Sequence, residues 1–392
     1  MISVAQAQKS VIDNAALLPK QKVELGASSN QFLAQDIIAP ISLPPFRQSA
    51  MDGYAFIYDE NCTSLKIVGK VQAGAAEVPK LKRGEAIRIF TGAAVPAEAD
   101  TVIIQEHTQP KGDQLLIEKL PAKGANIRPI GEQIEKGVVV LKQGHQVNEA
   151  SIGFMAGLGL TEIEVYRNPK VAVLMTGDEL QAPGSELKPN HIYESNGIML
   201  KSALKRIGID NVELLKVEDT LEATIKMVKN ALENADVLLV SGGISVGDYD
   251  FVQEALITNE VEEHFYKVNQ KPGKPLWFGT KEDKSVFGLP GNPASSLTAF
   301  YVYVLPHLRA RMGSLDPFLP QHKARLTTTI KNIHNKTLFL KAGVNRDEIT
   351  PYTDQASSML NTYALSNALL LVPEEKELLN EGDWVTYIDL NF

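Results

Sequence analysis

The sequence predicts a multidomain α/β protein, with a central α/β unit set between two small β domains. Three observations predict it. From Lys170 to about Pro317, buried-strand patterns alternate with amphipathic helical patterns. Before Leu141 and after Pro317 the texture is one of short β-type runs punctuated by glycine. The length, 392 residues, suits two to four domains, and an apolar fraction of 44% supplies a core for each.

The elements follow in order. Residues 1–25 read as one helix packing with the α/β domain: Ser3 is placed to cap it, and Val4, Val11, Ala15 and Leu18 fall near one face. Residues 26–46 and 142–168 read as a linking segment whose ASIGFMAGLGL stretch is a short helix of small residues. Residues 47–141 read as an inserted β domain, with strands in SLKIVGKVQAG, EAIRIFTGA, DTVIIQE, QLLIEKL and GVVVLKQG. Residues 169–316 are the α/β domain. Its strands are KVAVLMTG, NVELLKVED, ADVLLVSGG, PLWFGT and SVFGLPG, and its helices include SNGIMLKSALKRIG and TLEATIKMVKNAL. Asn292 is placed to cap a further helix that has Pro293 at its first position. Residues 317–392 return to β-type runs. Parallel strands of such a unit bind ligands beyond their carboxyl ends.

Composition narrows the function. A net charge of −8 disfavours nucleic acid and anionic membranes as partners but permits a small anionic substrate. A single cysteine, Cys62, excludes a disulfide framework and any Cys-rich metal site, and suits a reducing cytoplasm. The first residues lack the apolar run of a secretory signal, and no stretch approaches the roughly 20 apolar residues of a membrane span.

Three strands of the α/β unit end in conspicuous turns: Thr176-Gly177-Asp178-Glu179, then Ser241-Gly242-Gly243 continuing to Asp250, then Gly288-Leu289-Pro290-Gly291-Asn292-Pro293-Ala294-Ser295. Glycine there lets backbone N–H groups approach a ligand, so together the turns point to an anion-binding crevice. Neither a P-loop nor a dinucleotide fingerprint is present. Gly243-Ile244-Ser245-Val246-Gly247 matches the G-x-S-x-G elbow of serine hydrolases, but two glycines separate strand from serine and no histidine stands in a partner context. Lys267, Lys271 and Lys274 bring three ammonium groups to one end of the sheet, a pattern suited to oxyanions or else to a solvated turn. Asp52, Glu179, Asp219, Asp248 and Asp250 would repel a phosphate unless a divalent cation such as Mg²⁺ bridges them. Plainer roles are available: Asp219 as a helix cap, Asp248 or Asp250 as the cap of the next helix, and Asp52 in a hairpin turn. Thr91 is either a strand-end turn or a ligand hydroxyl.

Six cassettes occur in a fixed order: Ser49-Ala50-Met51-Asp52-Gly53-Tyr54-Ala55, Thr91-Gly92-Ala93, Thr176-Gly177-Asp178-Glu179-Leu180, Ser241-Gly242-Gly243-Ile244-Ser245-Val246-Gly247, Lys271-Pro272-Gly273-Lys274-Pro275 and Gly288-Leu289-Pro290-Gly291-Asn292-Pro293. On these the chain resembles the molybdopterin molybdenumtransferase (MoeA) family, which includes the E domain of gephyrin, over nearly its whole length. The resemblance implies an elongated homodimer. Each subunit would have a central molybdopterin-binding-like α/β domain, an inserted β domain, a linking helical segment and a C-terminal β-barrel. It also implies a reaction in which molybdenum from molybdate enters adenylylated molybdopterin and AMP is released, assisted by Mg²⁺ or Zn²⁺. The molybdenum would be held by pterin dithiolene sulfurs, in keeping with one cysteine.

Carried over by motif, Asp52, Thr91, Glu179, Asp219, Asp250, Lys267 and Lys271 are the catalytic positions, with Asp52, Glu179, Asp219 and Asp250 holding the metal. Substrate would be bound by Thr176, Gly177, Asp178, Ser241, Gly242, Gly243, Ser245, Gly247, Lys274, Pro290, Gly291, Asn292, Ser295 and Ser357. Asp52 and Thr91 of one subunit would approach the other subunit's crevice, and a transient contact with the adenylyltransferase that supplies the substrate is implied. The family's C-terminal Arg-rich segment and Gln-Gly-Ser loop are altered here: Lys336 or Lys341 replaces the arginine, and Ala356 the glycine. Lysine keeps the charge but loses the bidentate fork. The other readings are a molybdopterin-binding paralogue or gephyrin-like scaffold with little transferase activity, and a serine hydrolase acting through Ser245.

Overall fold

The computed structural model describes residues 1–244, 251–333 and 335–392. Two compact units emerge, one of Met1–Ala34, Gln143–Glu149 and Glu162–Phe392, the other of Gln35–Lys142 and Ala150–Thr161. The chain starts with helix α1 (Val4–Asp13), closed at its N-terminus by a capping box. The Ser3 hydroxyl accepts from the Gln6 N–H (3.2 Å), and the Gln6 side chain accepts from the Ser3 N–H (2.9 Å). The single helix expected over residues 1–25 is not found. Pro19 cannot donate a helical hydrogen bond, and Lys20–Glu24 beyond it form strand β1, paired with Glu162–Tyr166.

The second unit carries β2 (Gly53–Phe56), β3 (Ser64–Val71), β4 (Glu85–Ile89), β5 (Thr101–Ile104), β6 (Thr108–Lys111) and β7 (Gln114–Ile117), in sheet order β5-β2-β4-β3-β7-β6. Both faces of this sheet are covered: Ala55, Ile87 and Val102 lie in one apolar cluster, and Phe56, Ala86 and Ile103 in another. Gly53 has no alternative at its position, since any Cβ there would run into the Ile103 carbonyl oxygen. The small-residue segment forms helix α2 (Glu149–Gly157).

The larger unit resumes with β8 (Glu162–Tyr166), the partner of β1, and then builds the α/β layer. Its elements are β9 (Val171–Thr176), α3 (Asn196–Arg206), β10 (Val212–Val217), α4 (Leu221–Asn234), β11 (Val237–Ser241), α5 (Val252–Thr258), β12 (Glu262–Tyr266), β13 (Trp277–Lys281) and β14 (Lys284–Leu289). The sheet runs β10-β9-β11-β14-β13-β12, the first four strands mutually parallel and β13 antiparallel to both its neighbours, β14 and β12. The runs VAVLM and VLLVS are wholly buried, as expected of strands with apolar layers on both faces. Helices α6 (Pro293–Ala299) and α7 (Leu305–Arg311) are joined by a π-helical turn, Phe300–Val304, and Pro306 is the second residue of α7.

A buried polar cluster ties α1 and α7 to the sheet. His307 Nδ1 lies 2.6 Å from the Val11 carbonyl and must donate to it, so Nε2 accepts from the Ser285 hydroxyl (2.8 Å). The Arg311 guanidinium donates to the carbonyls of Asp236 (2.8 Å) and Asp283 (2.7 Å).

The last strands, β15 (Gln321–Leu326), β16 (Thr337–Asn345), β17 (Glu348–Pro351), β18 (Ala368–Val372) and β19 (Trp384–Asp389), pair in the circuit β16-β17-β15-β19-β18-β16. That circuit is a closed β-barrel around Ala324, Ala342, Ile349, Leu370 and Val385. No helix among the described residues is long and apolar enough to cross a membrane.

Candidate active site

The register of the parallel strands brings their carboxyl ends together: Thr176 sits opposite Val217, Met175 opposite Ser241, and Ser241 opposite Leu289. A cleft of about 600 Å³ opens beyond them, and its walls include Thr176, Gly177, Glu179, Asp219, Ser241, Gly242, Gly243, Pro290, Gly291 and Asn292. Gly177, Gly242 and Gly243 have φ of +135°, +94° and +63°, in the region that favours glycine. Space is short as well: a Cβ on Gly243 would lie 2.9 Å from the Thr176 hydroxyl oxygen.

Asn196, which the sequence reading missed, holds two of these turns together. Its Nδ2 donates to the Ser241 hydroxyl (2.8 Å) and to the Gly291 carbonyl (2.8 Å). Its Oδ1 is buried without a hydrogen-bond partner. In sequence, Ser195-Asn196 looks like an ordinary helix start, and only the fold puts the amide against residues 45 and 95 positions away.

An acidic corner forms one side of the cleft. The Asp178 N–H donates to Asp219 Oδ2 (3.1 Å), and the Asp219 N–H to Asp178 Oδ1 (3.4 Å). Burial, and then the charges of Asp178 and Glu179, push the Asp219 carboxyl up against the N–H groups of Asp178 and Gly177. The cap expected of Asp219 is supplied by Thr220 instead, whose hydroxyl accepts from the Ala223 N–H (3.3 Å). Among the described residues, no group of three or more His, Cys, Asp or Glu side chains is arranged to hold a metal ion. Ser245, Gly247, Asp248 and Asp250 lie outside the described residues.

A second cavity, of about 410 Å³, is lined by Lys271, Lys274 and Lys336 together with Gln270, Pro272, Gly273, Gln355, Ala356 and Ser357. Asn292 Nδ2 donates to the Ser357 hydroxyl (2.9 Å), so its side chain braces the loop from the barrel and does not cap α6. Ser295 is buried inside α6 and lines neither cavity. Lys341 is buried, and its ammonium donates to the carbonyls of Ala356 (3.2 Å) and Met359 (2.9 Å). Of the two lysines, Lys336 is therefore the one that faces a cavity. Lys267 lines neither cavity; it has φ +71°, and its ammonium lies 4.5 Å from the Tyr266 ring centroid. The Tyr266 hydroxyl donates to the Ile244 carbonyl (2.8 Å), connecting this strand end to the Ser241-Gly242-Gly243 turn.

In the second unit, Asp52 and Thr91 are direct partners. Asp52 Oδ1 accepts from both the Thr91 N–H and the Thr91 hydroxyl, at 2.8 Å each. Those two bonds, with a smaller contribution from the Arg88 charge, hold the Asp52 carboxyl below the usual range. Arg88 is fixed between the rings of Tyr54 and Phe90, 5.0 and 4.9 Å from their centroids.

Three family models match in sequence along the chain. The MoeA N-terminal region (domain I and II) matches residues 2–159, a probable molybdopterin binding domain matches 172–310, and the MoeA C-terminal region (domain IV) matches 323–390. A molybdopterin molybdenumtransferase of Haemophilus influenzae is 33% identical over 100% of this chain and 99% of its own length. The chain belongs to the molybdopterin molybdenumtransferase (MoeA) family. Molybdopterin molybdenumtransferase 2 of Mycobacterium tuberculosis is 34% identical over the full length of both chains. The MoeA protein of Pyrococcus horikoshii has the same fold, with a TM-score of 0.87 at 27% identity over 99% of this chain and 100% of that one. MoeA membership makes the protein an enzyme of molybdenum cofactor biosynthesis, and the mixed sheet and closed barrel are the domains this family builds.

Proposed function

We propose that the protein inserts molybdenum from molybdate into adenylylated molybdopterin and releases AMP. The observation that carries this reading is the pairing of a glycine-walled cleft with a lysine-lined cavity, joined through the Asn292–Ser357 hydrogen bond. A pyrophosphate needs fixed N–H dipoles close to its oxygens, which the Gly177, Gly242–Gly243 and Gly291 turns can approach closely enough to supply. Lys271, Lys274 and Lys336 suit a tetrahedral oxyanion such as molybdate beside it.

Glu179 and Asp219 both line the cleft, and a divalent cation there would relieve the crowding of Asp219 by Asp178 and Glu179. Glu179 and Asp219, with Asp250 carried over by motif alone, would hold Mg²⁺ or Zn²⁺, which would supply positive charge to the phosphate oxygens. The chain's own part is to orient: Thr176 and the glycine turns seat the phosphates, Asn196 keeps the Ser241 and Gly291 turns in register, and Lys271 and Lys336 hold the incoming anion. In the homodimer we propose, Asp52, kept ionised by Thr91, completes the partner subunit's cleft. The test is molybdate-dependent AMP release from adenylylated molybdopterin with Mg²⁺. A protein that binds the pterin but releases no AMP would be the binding paralogue, and the transferase reading would fall.

A further inference from the structure

The cleft has one wall that phosphate chemistry does not use. Leu180–Gln181 and Ile192–Tyr193 pair as a two-stranded parallel ribbon, and Leu180, Ile192 and Tyr193 line the cleft together with Glu179 and Asp219. Ile192 is 57% exposed and Tyr193 43%, so apolar surface meets water in a cleft that also holds carboxylates. Among the described residues lining the cleft, Tyr193 has the only aromatic ring.

The ribbon is fixed by its own hydrogen bonds. The Ile192 N–H donates to the Glu179 carbonyl (3.0 Å), and the Glu194 N–H to the Gln181 carbonyl (2.8 Å). The Lys216 ammonium donates to the Leu180 carbonyl at 2.6 Å. The Tyr193 hydroxyl donates to the Ser185 carbonyl at 2.8 Å, which ties down the far end of the ring. A ring already held in place loses little freedom when a flat heterocycle stacks on it.

The order of the strand ends sets which heterocycle reaches the ribbon. The cleft's turns follow β10 and β9 at one end, β11 in the middle, and β14 beyond it. The ribbon begins directly after β9, at the first end, whereas Lys271 and Lys274 precede β13, beside β14 at the other. A pyrophosphate on the glycine turns therefore has lysines to one side and the ribbon to the other. Under the transferase reading, on which this step rests, molybdate and the dithiolene that receives it take the lysine side. The adenosine on the far side of the pyrophosphate is left with the ribbon.

We propose that Tyr193, with Ile192 beside it, holds the adenine ring and so selects an adenylylated substrate over one carrying phosphate alone. AMP and ribose 5-phosphate, each titrated with Mg²⁺ into the full-length protein and followed by calorimetry, test it. AMP should bind with a Kd below about 1 mM, and ribose 5-phosphate at least about tenfold more weakly. Tyr193→Ala should weaken AMP about tenfold and leave ribose 5-phosphate unchanged. Tyr193→Phe keeps the ring and should bind AMP like the wild type. No AMP binding by about 5 mM, equal binding of the two ligands, AMP binding unmoved by Tyr193→Ala, or both ligands weakened alike would overturn the proposal. The two readings fail separately. AMP held through Tyr193 by a protein that never releases it from the adenylylated pterin would sink the transferase reading alone. Molybdate-dependent AMP release with a substrate KM unmoved by Tyr193→Ala would sink the adenine site alone.

Discussion

At Asp52 one neighbour does most to set the charge: the Thr91 N–H and hydroxyl both donate to Oδ1. Because these bonds favour the ionised form, the Asp52 pKa is depressed, and the carboxylate persists to lower pH than an ordinary aspartate. Thr91→Val removes the hydroxyl bond and leaves the N–H. The acidic limb of the pH–rate profile should then move to higher pH, with activity near neutrality retained; an unmoved limb would separate Asp52 ionisation from turnover. The two candidate lysines of the barrel separate in the same way. Lys336→Ala, which strips a cation from the cavity wall, should raise the molybdate KM about tenfold with little change in stability. Lys341→Met should instead cost about 1–3 kcal/mol of folding stability by orphaning two carbonyls, and leave the molybdate KM unchanged. Steady-state kinetics alongside urea titrations distinguish the two.

Elements were legible where local pattern decides and illegible where distant chain does. The alternation of strands and helices from Val171 to Leu289 follows from buried β-branched runs and amphipathic stripes, which need no knowledge of the rest of the fold. Strand β1 escaped that logic: Lys20–Glu24 is polar and mostly exposed, and becomes a strand only because Glu162–Tyr166 lies alongside. The site divides similarly. Glycine turns after strands announce themselves, whereas the Asn196 clamp and the Asn292–Ser357 brace join residues 45 to 95 positions apart and have no local signature. Neither had His307, whose role comes from being enclosed by α1 and β14. Burial holds its pKa at about 3, against roughly 6.5 when unfolded. Between those values the unfolded chain takes up a proton that the folded one refuses. Stability from this group is therefore complete above about pH 6.5 and falls as pH drops toward 3. Urea titrations of the wild type should lose about 2 kcal/mol more than His307→Gln between pH 7 and pH 5; parallel losses would place the acid sensitivity elsewhere.

For the whole molecule the question is whether one chain suffices. The cleft and the lysine-lined cavity belong to the larger unit, while the Asp52–Thr91 pair belongs to the other. The reading proposed above makes the working enzyme a dimer whose sites each draw on both subunits. It can be tested with two variants expected to be inactive alone, Asp52→Asn and Lys271→Ala. If Asp52 serves the partner's cleft, a mixed dimer has one site carrying both defects and one site carrying neither. Random exchange makes half of the dimers mixed, so about one quarter of wild-type AMP release should return. If Asp52 serves its own subunit's cleft, every site in every dimer keeps one defect and no activity returns. Differently tagged copies, with mixed dimers confirmed by native mass, make a negative result as informative as a positive one.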